Sequence, residues 1–135
     1  MGTAEIVITI AAALIDDESG RLLLVRKRGT ECFMQAGGKI EPGETALSAL
    51  RRELEEEIGL AIDGKEIRYL GRFSAPAANE LGCVVDAKVF HIRTHHSPAM
   101  RHEIEEALWI TRDEAETLPL APLTRDYIIP LSKTL

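Results

Sequence analysis

Hydrophobic and polar positions divide much of the chain into short strand-like runs. Residues 5–15 are β-branched at first and then small and apolar, and the acidic stretch after them is typical of a turn. Within residues 21–28, four apolar residues follow Arg21 and lead to three basic side chains. This pattern predicts two strands joined by a short loop. Residues 66–73, 83–93 and 107–110 are further predicted strands.

A helix is predicted from about residue 45 to residue 58. Thr45 is a suitable N-cap, and Gly59 follows the helix as a suitable C-terminal cap. Apolar residues recur between them at helical spacing, which predicts one face packed against a sheet. These residues are Leu47, Leu50, Leu54 and Ile58.

The remaining segments complete the predicted architecture. Residues 35–44 contain paired glycines and a Pro-Gly dipeptide, so we expect an irregular loop there. Two short helices are predicted near the C-terminus, one from Thr111 or Asp113 through residue 118 and one over 123–131 that Pro130 should end or kink. Strands outnumber helices and alternate loosely with them, which predicts an α/β fold with helices on the faces of a mixed sheet. We expect one domain over residues 1–135.

Composition narrows the classes of function. The chain has 16 Lys and Arg against 22 Asp and Glu, a formal charge of −6, which disfavours nucleic acid as a partner. Two cysteines are too few for a disulfide framework or a four-cysteine zinc site, so we expect reduced thiols and a cytoplasmic location. The longest apolar stretch, residues 6–15, is too short to cross a bilayer, so we expect no membrane partner. Small-molecule chemistry remains open.

Three carboxylates of the predicted helix share one face. At about 100° per residue, Glu56 and Glu57 fall on either side of Glu53, while Glu55 points away. Like charges at this spacing cost a few tenths of a kcal/mol per pair, and a bound divalent cation would reverse that cost. Hard oxygen ligands of this kind favour Mg²⁺ or Mn²⁺. The alternative is an ordinary solvent-exposed acidic face.

The spacing of the surrounding residues is more specific. From Gly38, five residues lead to Glu44, seven more to Arg52-Glu53-Leu54, one more to Glu56-Glu57, and one more to Gly59-Leu60. This segment of 23 residues resembles the Nudix box at every fixed position, and it lies in the strand, loop and helix context that the box requires.

The resemblance carries expectations about fold and site. Proteins similar to this one fold as an α/β/α sandwich around a mixed sheet and use Mg²⁺ or Mn²⁺ to hydrolyse a nucleoside diphosphate linked to another moiety. By the same resemblance, the metal ligands are the carboxylates of Glu53, Glu56 and Glu57 with the Gly38 carbonyl. Arg52 and Glu44 would orient the ligand carboxylates through charge-assisted hydrogen bonds.

The resemblance leaves two alternatives for the general base, because some members of this family use a glutamate of the box and others an acid in a later loop. Glu103, Glu105 and Glu106 form a second acidic group just before the strand at 107–110. Glu103 would lie in the loop, so we place it ahead of the other two, with Glu53 or Glu56 of the box as the alternative base. A purely structural reading of this second group is an exposed acidic surface.

Weaker signals concern the substrate itself. The basic residues from Arg26 to Arg28 could hold a phosphate, although a basic loop on an acidic domain is an equally ordinary explanation. Phe33 lies in the loop that leads to the box and is the aromatic residue best placed to meet a base. The other aromatic residues are expected in the core.

These features predict a Mg²⁺-dependent pyrophosphohydrolase. The favoured substrate is a nucleoside triphosphate, intact or oxidised, that is cleaved to a nucleoside monophosphate and pyrophosphate. An ADP-ribose or other nucleotide-sugar pyrophosphatase is one alternative, and a nucleotide-sensing domain without catalysis is another. RNA decapping ranks low, because residues 26–28 are the only basic run that could guide a polyanion. Similar proteins are often dimers, so a homodimer is an expectation as well.

Overall fold

The described part of the chain, residues 6–135 of a computed structural model, contains one seven-stranded sheet and short helices. The strands are β1 (Ile6–Asp16), β2 (Leu22–Lys27), β3 (Phe33–Met34), β4 (Gly37–Lys39), β5 (Arg68–Pro76), β6 (Cys83–Arg93) and β7 (Ile104–Ile110). The helices are α1 (Ala46–Ile58), α2 (Arg112–Ala115) and α3 (Ile129–Ser132), and a π-helical segment, Thr124–Ile128, leads directly into α3. No helix in residues 6–135 is long and apolar enough to cross a membrane.

The sheet is mixed, and β1 lies at its centre. β6 runs parallel to β1 over its whole length, from Ile6 opposite Cys83 to Asp16 opposite Arg93. β2 and β4 are both antiparallel to β1, and β5 extends the sheet beyond β6. β2 also pairs with β3 and with β7. This pairing brings β4, the strand that precedes α1, into the middle of the sheet.

Two separate cores cover the two faces of the sheet. Alternate residues of β1 and β2, such as Ala13 and Leu23, pack beneath α1. The intervening residues, such as Leu14 and Leu24, pack beneath the C-terminal helices. The near-continuous apolar runs of these strands follow from burial on both faces. The expected α/β/α sandwich is confirmed.

The ends of α1 confirm the predicted caps. The Thr45 hydroxyl oxygen accepts a hydrogen bond from the Ser48 backbone N–H, and the Thr45 backbone N–H donates one to the Ser48 hydroxyl oxygen, which makes a capping box. Gly59 has a left-handed backbone, with φ of 67°, and donates its N–H to carbonyls of the last turn. The helix that carries the box is therefore fixed at both ends by local sequence.

The paired glycines form a strand, so the prediction of an irregular loop is wrong for residues 37–39. β4 places Gly37 opposite Ala12 and Gly38 opposite Ala11. A Cβ atom on Gly37 would collide with the carbonyl oxygen of Ala11, and the φ of Gly37 is 147°. Glycine here permits a close strand contact that any side chain would prevent.

The buried face of α1 differs from the predicted leucine stripe. Leu47 remains 37% exposed, whereas Ala49 and Glu57 are buried together with the other predicted positions. Glu57 therefore lies within the buried arc and not on an open flank. The cause is the partner strand, because α1 packs on β4, whose two glycines leave room for a carboxylate.

Several boundaries also moved. The strand at 83–93 is confirmed, whereas the strand predicted at 107–110 begins at Ile104 because it pairs with β2 along its length. Residue 5, the first of the predicted opening strand, lies outside the described residues. Pro130 does not end the last helix: the π-helical segment precedes it and α3 continues to Ser132. Pro130 has no backbone N–H to donate to the preceding turn, and the helix changes from π to α next to it.

Candidate active site

Arg52 links three parts of the box into one network. Its guanidinium donates to both carboxylate oxygens of Glu44 at 2.9 and 2.8 Å, to Oε1 of Glu53 at 2.8 Å, and to the Lys39 carbonyl at 3.1 Å. The hydrogen bonds from Arg52 hold the pKa of Glu44 down at about 2, and the same carboxylates raise the pKa of Arg52. The pair stays ionised at any ordinary pH, so Arg52 fixes the position of the Glu53 carboxylate.

Gly38 and Glu53 lie in direct contact. A Cβ atom added to Gly38 would lie 2.5 Å from Cδ of Glu53 and 2.6 Å from its Oε1. Only glycine leaves this space to the carboxylate. The backbone of β4 and the first predicted ligand carboxylate are therefore adjacent, as the sequence led us to expect.

Glu57 is the buried member of the acidic cluster. Its side chain is 3% exposed, and Oε1 accepts a hydrogen bond of 2.9 Å from the Gly37 backbone N–H. Burial raises the pKa of Glu57 to about 8; the Gly37 N–H and Lys27 oppose this shift, while Glu53 and Glu103 add to it. No Lys or Arg among residues 6–135 forms an ion pair with this carboxylate. An uncompensated carboxylate in this position is a suitable ligand for a cation.

Glu56 and Glu55 face different surroundings on the solvent side of α1. Glu56 is half exposed and lies 3.5 Å from Arg52. Glu55 is exposed, and its side chain makes no hydrogen bond or ion pair within residues 6–135. This separation agrees with the helical spacing, in which Glu55 points away from the other three.

The donor set fits Mg²⁺ or Mn²⁺. Within residues 6–135 no three His, Cys, Asp or Glu side chains are already gathered around one point, because Glu53 turns towards Arg52 while Glu57 is held by β4. The available donors are nevertheless carboxylate and carbonyl oxygens, the ligands that both ions prefer. Glu53, one of these donors, already lies against the backbone of Gly38. We therefore keep Glu53, Glu56, Glu57 and Gly38 as the predicted ligands.

Lys27 is a site residue that sequence reasoning did not separate from its neighbours. Its Nζ lies 3.5 Å from Oε1 of Glu103, and its positive charge acts on the buried Glu57. Lys27 also lines an open cleft beside β4, which is described below. Strand alternation was the available signal, because residue 27 must face away from residue 26 in β2. Lys27 and Glu103 together extend the acidic cluster towards β7.

Arg26 and Arg28 do not face the cleft. Arg26 donates to Glu106 at 2.9 and 2.6 Å and to the Thr30 carbonyl, and Arg28 donates to Glu105 at 3.1 Å. Cross-strand pairing of β2 with β7 brings these charges together. The prediction that Arg26 and Arg28 hold a phosphate is corrected accordingly.

Phe33 is a second correction. Its ring is 6% exposed and packs in the core beneath the C-terminal helices, with the Arg26 guanidinium 6.0 Å from its centroid. Phe33 is drawn inward because its backbone is hydrogen-bonded to the segment around residues 119–121. It is not available to stack on a base.

A cleft that is open to solvent lies on the opposite side of β4 from α1. Its walls are mainly apolar, and the polar residues at its rim include Lys27, Lys39 and Asn79. Gln35 is the one lining residue that is both polar and buried in the described part of the chain. All three residues of β4 line the cleft, and two of them, Gly37 and Gly38, also adjoin the Glu57 and Glu53 carboxylates of α1, so the cleft and the carboxylates are neighbours.

Comparisons with known proteins agree with this geometry. A family model described as the NUDIX domain matches residues 7–131. The CTP pyrophosphohydrolase of Escherichia coli (strain K12) is 31% identical over 120 residues, which cover 85% of this chain and 84% of that protein. The 8-oxo-dGTP diphosphatase of Haemophilus influenzae is 38% identical over 74 residues, which cover 52% of this chain and 54% of that protein.

Solved structures show the same fold. The E. coli dihydroneopterin triphosphate pyrophosphohydrolase superimposes with a TM-score of 0.79 at 16% identity, covering 97% of this chain and 100% of its own. The MutT protein from Methanosarcina mazei Go1 gives 0.78 at 20% identity, covering 98% and 97%. With the family match over nearly the whole chain and the box on a capped helix beside β4, the chain belongs to the Nudix family and is a hydrolase that acts on nucleotide diphosphate bonds.

Proposed function

We propose that this chain is a nucleoside triphosphate pyrophosphohydrolase that releases a nucleoside monophosphate and pyrophosphate. The observation that carries the proposal is the position of β4. Gly37, Gly38 and Lys39 form one wall of an apolar cleft, and the two glycines also adjoin the Glu57 and Glu53 carboxylates of α1. A base in the cleft would leave its phosphate chain beside those carboxylates. CTP and oxidised dGTP, the substrates in the names of two relatives, fit this arrangement.

The chain's own residues suit hydrolysis of a phosphoric anhydride. Mg²⁺ or Mn²⁺ held by Glu53, Glu56, Glu57 and the Gly38 carbonyl would neutralise phosphate oxygens and lower the pKa of a bound water. Arg52 keeps the Glu53 carboxylate in place through its own bonds to Glu44.

Lys27 and Glu103 extend the site towards β7. The Lys27 ammonium lines the cleft and is suited to bind a phosphate oxygen of the substrate. Glu103 is 60% exposed and lies next to Lys27, so its carboxylate can reach a water near the phosphates. In the proposed step the water oxygen attacks one phosphorus, the bond from that phosphorus to the bridging oxygen breaks, and Glu103 takes the proton.

A substrate panel tests the proposal. We expect CTP, UTP, dGTP or 8-oxo-dGTP with Mg²⁺ to yield monophosphate and pyrophosphate in equal amounts, whereas ADP-ribose and dinucleoside polyphosphates react more slowly. Hydrolysis in ¹⁸O-labelled water will identify the phosphorus that is attacked. A protein that cleaves ADP-ribose best, or that binds triphosphates without cleaving them, would contradict the proposal.

Glu103→Gln should lower kcat by about 100-fold, because a positioned general base contributes on that order. Glu105→Gln is the matched control: it removes the same charge two residues away, where the carboxylate pairs with Arg28. Steady-state kinetics across pH 6–9 will compare the two variants. If Glu103→Gln and Glu105→Gln have the same kcat, the base is a residue of the box instead.

A further inference from the structure

The apolar cleft beside β4 contains one buried polar side chain whose hydrogen bonding is incomplete. Gln35 is 7% exposed and lies between β3 and β4, among the residues that line the cleft. Its Nε2 donates a hydrogen bond of 2.7 Å to the hydroxyl of Thr124. Within residues 6–135 its Oε1 has no partner, although every fully enclosed side-chain nitrogen or oxygen has one. Oε1 is therefore not fully enclosed, and the solvent-open space that Gln35 lines is this cleft.

The position of Gln35 is held on every side. The neighbouring Ala36 carbonyl accepts a hydrogen bond of 3.0 Å from Ala13 of β1, and Phe33 is bonded through its backbone to the segment around 119–121. Thr124 is completely buried at the start of the π-helical segment. Because both partners are fixed, the amide cannot turn away from the cleft without breaking its bond to Thr124. This is the preorganisation that a recognition group requires.

Resting on the proposed function, we propose that Gln35 determines base specificity. Thr124 holds Nε2, and Oε1 accepts a hydrogen bond from an amino group on the edge of the base. The surrounding wall is apolar, with Ile8, Ile10 and Leu123 among its members, so the flat faces of the base would contact carbon while its edge meets one fixed acceptor. Thr124 is then a positioning residue for this contact.

Chemistry predicts which bases fit such an acceptor. Cytosine and adenine carry an exocyclic amino donor, whereas uracil and hypoxanthine carry a carbonyl acceptor at the same position. An acceptor facing an acceptor leaves both unpaired in a partly buried site, which is more costly than the hydrogen bond is favourable. We therefore expect CTP to exceed UTP in kcat/KM by about tenfold, and ATP to exceed ITP in the same direction.

The experiment compares these matched pairs in the wild-type protein and in two variants of each residue. Gln35→Met keeps the length of the side chain and removes its polar atoms, so the amino-to-oxo ratio should fall to about one. Gln35→Glu keeps an acceptor in the cleft and should preserve the preference. Thr124→Val removes the hydroxyl that holds Nε2 and should reduce the ratio, whereas Thr124→Ser keeps the hydroxyl and should not.

Binding measurements separate this inference from the proposed function. Calorimetry with CMP and UMP in the absence of metal reports base selection even if no triphosphate is hydrolysed. Stronger binding of CMP, lost in Gln35→Met, supports the inference. Equal binding, a preference for UMP or UTP that indicates a reversed amide, or an unchanged ratio in a folded Gln35→Met protein would overturn it. Hydrolysis of the panel with no such ratio leaves the proposed function standing and removes Gln35 from base recognition.

Discussion

Glu56→Gln is expected to lower kcat/KM with Mg²⁺ by about 100-fold or more, because a lost ligand removes several kcal/mol of charge stabilisation from the transition state. The structure makes this variant informative. Glu56 is half exposed and its closest charged partner is Arg52 at 3.5 Å, so the substitution removes almost no internal bonding. We therefore expect the metal-free protein to keep its thermal midpoint, and a fall in activity then reports on the cation.

Glu55→Gln is the matched control for this prediction. Glu55 is the adjacent residue on α1, carries the same charge and is exposed, but it points away from β4. The activity of Glu55→Gln should remain within about twofold of the wild type, since surface substitutions of this kind have small effects. Mn²⁺ titration followed by electron paramagnetic resonance will show weakened binding in Glu56→Gln alone. Equal activity in the two variants would mean that Glu56 is not a ligand.

Glu57→Gln is expected to stabilise the metal-free protein at neutral and alkaline pH. The carboxyl has a pKa of about 8 when folded, against 4.5 for an ordinary glutamate, because burial disfavours the charged form. Gln can still accept the hydrogen bond from the Gly37 N–H without carrying a charge. At pH 8 the variant should exceed the wild type by on the order of 4 kcal/mol.

The direction of the pH dependence follows from linkage. Below pH 4.5 the Glu57 carboxyl is protonated in both the folded and the unfolded state. The wild type therefore has its full stability there and is not penalised relative to Glu57→Gln. Between pH 4.5 and 8 the unfolded chain releases this proton while the folded chain keeps it, so the wild type loses stability relative to the variant as pH rises. Denaturant unfolding from pH 4 to 9 in EDTA will measure the difference, which should fall to about 1 kcal/mol at pH 5 and disappear below pH 4.5.

Divalent metal should make the wild type more stable than Glu57→Gln, the reverse of their order without metal. Binding at Glu57 favours the ionised carboxylate, so Mg²⁺ or Mn²⁺ should stabilise the wild type and release a proton on binding, whereas Glu57→Gln should gain little. Calorimetry in two buffers of different ionisation enthalpy will count that proton. A variant that remains as sensitive to metal as the wild type would show that Glu57 is not a ligand.

Local sequence was sufficient for the helix of the box and for the type of fold. Thr45 and Gly59 cap α1 through contacts with residues a few positions away, and the spacing of Glu53 and Glu56 places both on one side of that helix. The apolar runs of β1 and β2 likewise predicted two strands joined by a short loop. These features depend on neighbours in the chain, so a single sequence contains the information.

Contacts distant in sequence decided the rest. The sequence showed that Glu57 is acidic, but only the packing of α1 on a glycine strand buries it and raises its pKa. Only the pairing of β2 with β7 neutralises Arg26 and leaves Lys27 at the cleft. Gln35 acquires a role only through Thr124, 89 residues away. Periodicity fixes which residues share a face, whereas burial, ion pairing and the shape of a cleft depend on what is packed against that face.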